Sequence, residues 1–215
     1  IDATCPLVEK VHHEARRFAS KNATTILIGE MGHDETVGTM GWAPLHIKLV
    51  TTKEDIAFLD VPDEDNMAYI TQTTLSVDDC QEIIDALKER FPKVVGPPKA
   101  DICYATSNRQ TAVRAISPKA DLILVVGDSE SANSTRLADI ARGYDKPAYL
   151  ISSSEVIESK WLEGVETVLL TSGASVPEKL VQEVIQRLQE HEPSEVEEAM
   201  LVEEDVHFRL PANIS

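Results

Sequence analysis

No apolar run in the 215 residues approaches the roughly 20 that a membrane-spanning helix needs, and no signal peptide is visible. Basic residues are scarce. Twenty Lys and Arg stand against 37 Asp and Glu, giving a formal charge of −17. Neutralising a phosphate backbone takes a dense basic surface, so a nucleic acid partner is excluded and no membrane partner is expected. Any anionic ligand must instead be met by a local pocket of donors. Part of the acidic excess falls in Glu192, Glu195, Glu197, Glu198, Glu203, Glu204 and Asp205, which reads as a solvated tail. Cysteine is limited to Cys5, Cys80 and Cys103, with no Cys-x-x-Cys. That number and spacing argue against a disulfide scaffold, a zinc ribbon and a thioredoxin motif, and favour a reduced, cytoplasmic compartment. The sequons at Asn22 and Asn133 then carry no glycan. An initiating Met is also missing, since the chain begins at Ile1, and an upstream segment is expected to have been removed or omitted.

What remains is ordinary globular material, 42% hydrophobic and 27% charged, long enough for two units of about 100 residues. Short β-branched runs alternate with helical patterns, which predicts α/β layers. Strands are expected over 25–29, 46–50, 68–71, 122–127, 148–151 and 167–171, and helices over 6–20, 76–91, 107–116, 134–143 and 177–189. Gly96, Pro97 and Pro98 mark a boundary, giving units over 1–99 and 100–190 and an acidic tail over 191–215.

The two units repeat one pattern. Cys5 and Cys103 lie 98 residues apart, as do the Gly29 and Gly127 that close matching apolar runs. His33 and Glu35 fall against Ser131 and Asn133 at the same spacing, and Thr71 is matched to Thr171 at a spacing of 100. The expected fold class is therefore tandem similar α/β domains around a central site, with polar loops beyond the carboxyl ends of strands, where such sheets bind ligands.

Cys5 and Cys103 each precede a helix, a setting that favours the thiolate and suits metal ligation or nucleophilic attack. Cys80, without a counterpart, reads as structural on an ordinary helix face. The polar loop Gly32–Gly41 carries His33, which can donate to an anion, and Glu35, which can move a proton. Hydroxyl-rich stretches follow three strands: Thr71–Thr74, Ser129–Thr135, and Thr171 with Ser172 and Ser175. Such clusters are commonly turns and helix caps, but three of them in one duplicated fold fit neutral recognition of a diphosphate.

Asp-Ala-Thr-Cys-Pro-Leu-Val, Gly-His-x-Glu with Gly-Thr-Met-Gly, Thr-Gln-Thr-Thr-Leu-Ser and Asp-Ile-Cys-Tyr-Ala-Thr-x-Asn-Arg-Gln occur in this order. Together with Ser131-x-Asn133-Ser134 and Gly173-Ala174-Ser175 they resemble the 4-hydroxy-3-methylbut-2-enyl diphosphate reductase family, from residue 2 to about 210. The resemblance implies three similar α/β domains, two of them present here, and a [4Fe–4S] cluster held by one cysteine from each. Cys5 and Cys103 fall on two of those ligands, and the third is expected in an N-terminal domain missing from this chain. Glu35 falls on the catalytic acid, and His33, Thr73, Ser131, Asn133 and Ser175 on substrate-binding positions. Ala132 stands where some relatives carry serine, so only its backbone is expected to make contact. The implied reaction is reductive dehydroxylation of an allylic diphosphate, with ferredoxin or flavodoxin as electron donor. Alternatives from other classes are a non-catalytic diphosphate-binding module that has lost the cluster, and a thiol- or zinc-dependent hydrolase built on Cys5, Cys103 and His33. The chain alone is expected to be inactive and free of stable iron, with a loose tail whose Val206, Phe208 and Leu210 lack a surface to pack on.

Overall fold

The computed structural model describes residues 2, 4–97, 101–199, 201–204, 206 and 208; Ile1, Ala3, Pro98, Asp205 and Leu210, named in the expectations above, lie outside them. The fold is mixed α/β, in two compact units that divide between Cys103 and Tyr104, each centred on its own sheet.

The first unit runs α1 (Pro6–Ala19), β1 (Thr24–Ile28), α2 (Asp34–Trp42), β2 (Ile47–Val50), β3 (Met67–Thr71) and α3 (Val77–Arg90). Its three strands are all parallel, in the order β2-β1-β3. Successive residues of β1 face opposite ways. Ile26 and Ile28 pack with Ile83, Ile84 and Leu87 of α3, while Leu27 packs with Val11, Ala15 and Phe18 of α1. Both faces are thus covered, which is why these strands read as continuous apolar runs.

The second unit repeats the plan with α4 (Tyr104–Ile116), β4 (Leu122–Val126), α5 (Ala132–Arg142), β5 (Ala148–Ile151), β6 (Val168–Ser172) and α6 (Glu178–His191). Its strands are again parallel, in the order β5-β4-β6. Ile123 and Val125 meet α4 and α5 through Val113, Leu137 and Ala141, and Leu122, Leu124 and Val126 meet α6 through Val184 and Leu188.

All six strands match the sequence expectation to within one residue at each end. Three features differ from it. Helix α4 begins at Tyr104, three residues before the expected start. The segment counted as polar loop after His33 is helix α2, although Gly38 and Gly41 weaken its local propensity. Its first turn carries Asp34 and Glu35, which suit a helix N-terminus, and Thr36 and Thr39 are buried. The repeat register also shifts. Ile28 pairs with Thr71 and Val126 with Ser172, so the third strands correspond at a spacing of 101, and Thr71 matches Ser172 in place of Thr171. The backbone N–H groups of Gln72 and Gly173 donate to the Ile28 and Val126 carbonyls in the same register.

Candidate functional site

In the first unit the polar residues collect where β1 and β3 end. His33 caps α2, and its Nδ1 accepts from the Glu35 N–H at 3.1 Å. With Nδ1 acting as acceptor, the neutral ring carries its proton on Nε2, which is left as a donor for an anion. In the first turn of the helix, the Glu35 carboxyl is clasped by a single residue. The Thr73 N–H donates to Oε1 at 2.7 Å and the Thr73 hydroxyl to Oε2 at 2.9 Å. Burial pushes the Glu35 carboxyl above the usual range, and the two Thr73 bonds and the nearby His33 offset this only in part. An acid raised in this way keeps its proton closer to neutrality and can deliver it.

Gln72, 1% exposed, braces the same loop. Its Oε1 accepts from the Glu30 N–H at 2.8 Å and the Thr36 hydroxyl at 3.1 Å, and its Nε2 donates to the Thr74 hydroxyl at 3.0 Å. Gly29 lets this happen, because a Cβ there would meet Thr36 Oγ1 at 2.9 Å.

After β3 and α3 the chain returns along β3. The Tyr69 N–H donates to the Val95 carbonyl, and the Cys103 N–H donates to the Thr73 carbonyl, both at 2.9 Å. Thr73 therefore holds the acid on one side and the Cys103 segment on the other. Cys5 is exposed at the N-cap of α1, with Pro6 following, and Cys103 is half-buried directly before α4. Among the described residues no group of three or more His, Cys, Asp or Glu side chains is placed to hold a metal ion. Cys80 corrects the expectation of an ordinary helix face. It is 1% exposed inside the α3 core cluster, and burial pushes its thiol up to about 12.

In the second unit, Ser131 caps α5 as His33 caps α2, accepting from the Ser134 N–H at 3.4 Å. The Ser134 hydroxyl also donates to Ser131 Oγ, at 3.2 Å, and it lies in the space left by Gly127 and Gly173. Ala132 opens the helix, whose first N–H groups have no intrahelical acceptor and suit an anion. Asn133 holds the place of Glu35. It is 6% exposed, and among the described residues neither Nδ2 nor Oδ1 of its amide has a hydrogen-bond partner. Ser175 is exposed in the turn between β6 and α6.

The sequence reading passed over Gln72 and the ion pair of Lys10 with Asp101. Both lie inside or beside the motifs already noted, but their roles depend on partners far along the chain.

Comparison with known proteins identifies the family of the chain. The LytB protein family matches residues 1–189. The 4-hydroxy-3-methylbut-2-enyl diphosphate reductase of Streptomyces avermitilis is 49% identical over all 215 residues, which cover 64% of that protein. The reductase of the same name from Mycobacterium ulcerans is 49% identical, with 100% of this chain and 65% of the relative covered. That of Pectobacterium carotovorum is 51% identical, with 99% and 68% covered. The solved structure of the E-1-hydroxy-2-methyl-but-2-enyl-4-diphosphate reductase of Plasmodium falciparum superposes with a TM-score of 0.93 at 38% identity, over 100% of this chain and 68% of that one. The chain spans slightly under two thirds of the first two relatives' length. On sequence and fold together, it belongs to the LytB family of 4-hydroxy-3-methylbut-2-enyl diphosphate reductases.

Proposed function

We propose that this chain is part of an oxidoreductase that converts (E)-4-hydroxy-3-methylbut-2-enyl diphosphate to isopentenyl and dimethylallyl diphosphates. The observation that carries the reading is the Asn133 amide, buried with both polar atoms unpaired among the described residues. Leaving such a group unsatisfied costs about 1–3 kcal/mol, which a bound ligand would recover. A neutral amide, the Ser131 hydroxyl and the free helix start at Ala132 are the donors an acidic protein needs for a diphosphate. In this reading the second unit offers these donors, with Ser175, to a diphosphate.

The reaction consumes two electrons and two protons and releases water. Glu35, held by Thr73, supplies a proton to the leaving hydroxyl, so that it departs as water and not as hydroxide. Cys5 and Cys103 fit an iron–sulfur cluster, because each thiol stands at the start of a helix, whose positive end favours a negatively charged metal-bound sulfur. The third cysteine ligand belongs to the part of the relatives that this chain does not cover. When bound, the cluster supplies the electrons and a Lewis-acid iron at the hydroxyl. A ferredoxin or flavodoxin is the proposed electron donor.

The test is anaerobic assay of a chain carrying the full length of the relatives, with a chemical reductant. Glu35→Gln is expected to lower kcat by about 10²–10⁴-fold while iron content is kept. Asn133→Ala is expected to act mainly on KM. An iron-free protein that still binds the diphosphate but never turns it over would identify a binding module instead.

A further inference from the structure

The described residues hold one nearly inaccessible carboxylate that the mechanism does not use. Asp101 has a side chain only 1% exposed, and both of its oxygens are engaged. Oδ1 accepts from Lys10 Nζ at 2.6 Å, and Oδ2 accepts from the Thr71 N–H at 3.3 Å. The Asp101 N–H donates in return to the Thr71 hydroxyl at 3.0 Å. Two residues later the Cys103 N–H reaches the Thr73 carbonyl. Lys10 sits on α1, the helix that Cys5 caps.

The Asp101 carboxylate is buried while the Lys10 side chain is half exposed, so the pair is a poor device for stability alone. It does fix position, because removing Lys10 strands the buried carboxylate. We propose that Lys10 and Asp101 are positioning residues that lock the segment carrying Cys103 onto the helix capped by Cys5. The proposal rests on the reading of these two cysteines as cluster ligands. The ion pair also steadies Thr73, and through it the Glu35 carboxyl. Asn108 of α4, 98 residues after Lys10, also bonds a carboxylate, donating to Glu204 Oε1 at 3.0 Å in an exposed contact that does not fall on the repeat position of Asp101.

The experiment follows iodoacetamide labelling of each cysteine in this chain by peptide mass spectrometry, without metal. Cys80 reports general opening of the unit. Lys10→Met and Asp101→Asn are expected to speed Cys103 labelling about tenfold or more, because losing the bond to the buried carboxylate releases the segment. Cys80 should stay protected, Cys5 should label at the parent rate, and Lys10→Arg should restore slow Cys103 labelling. Unchanged Cys103 labelling in Lys10→Met, or Cys80 labelling that rises in parallel, would overturn the positioning role. In the protein of full relative length, Lys10→Met should lower iron retained through gel filtration and Lys10→Arg should restore it. Equal retention in Lys10→Met and the parent would refute the link to the cluster. No iron in the parent would refute the functional reading and leave the labelling result standing.

Discussion

At the scale of single residues, Glu35 and Cys80 show how burial sets chemistry. The raised Glu35 carboxyl means that the folded chain binds this proton more tightly than the unfolded chain. Its contribution to stability is therefore most favourable at low pH and declines as pH rises from the ordinary carboxylate value through the raised one. Glu35→Gln removes that decline. The variant is expected to gain stability relative to the parent as pH rises above the ordinary carboxylate range, as read from urea midpoints; a difference independent of pH would contradict the assignment. Cys80 offers the converse case of an inert thiol. Its position among Ile83, Ile84 and Leu87 means that Cys80→Ser places a hydroxyl in an apolar cluster, at a cost of about 1–3 kcal/mol. Iron content in the full-length protein should nevertheless be unchanged, whereas Cys103→Ser should lower it sharply. Equal iron loss in the two variants would make Cys80 a ligand.

Elements in the two units use glycine to opposite ends. At Gly127 an added methyl would collide with the Ser134 side chain and press on Leu150, so the start of α5 would have to move. Gly127→Ala is expected to lose about 1–3 kcal/mol by overpacking and to weaken diphosphate binding. Gly41 lies within α2 and faces open space, with nothing within 4 Å of an added Cβ. Gly41→Ala should therefore stabilise the protein by up to about 1 kcal/mol through helix propensity and lost unfolded-state freedom. Chemical denaturation of the pair decides the matter. A loss in both variants would mean that α2 needs its glycine for a contact outside the chain.

For the whole molecule, the formal charge of −17 makes every anion site a local construction. The donors found in both units are neutral amides, hydroxyls and helix starts, with one imidazole. Of the three cysteines Cys80 is buried, and among the described residues no group of three or more His, Cys, Asp or Glu could hold a metal ion. Anaerobic reconstitution of this 215-residue chain is therefore expected to give no stable four-iron cluster and no reductase activity, by iron and sulfide analysis and by substrate assay. Stoichiometric iron with turnover would show that two cysteines suffice.

The sequence by itself determined the layers, the six strands and the family motifs. Apolar periodicity and cap residues act within a few positions, and a residue such as Ile26 carries its burial in its own chemistry. Helix α2 was not legible, because Gly38 and Gly41 mask a pattern that packing then imposes. The spacing of 101 between the third strands was missed for a related reason: Thr171 and Ser172 are both hydroxyl residues, and only pairing with Val126 separates them. Tertiary structure alone decided which polar groups meet. Thr73 reaches Glu35 across 38 positions and Lys10 reaches Asp101 across 91, while Asn133 is buried and, among the described residues, unpaired. Local propensity has no term for such contacts, since they exist only once β1 lies between its two neighbours and the chain returns along β3.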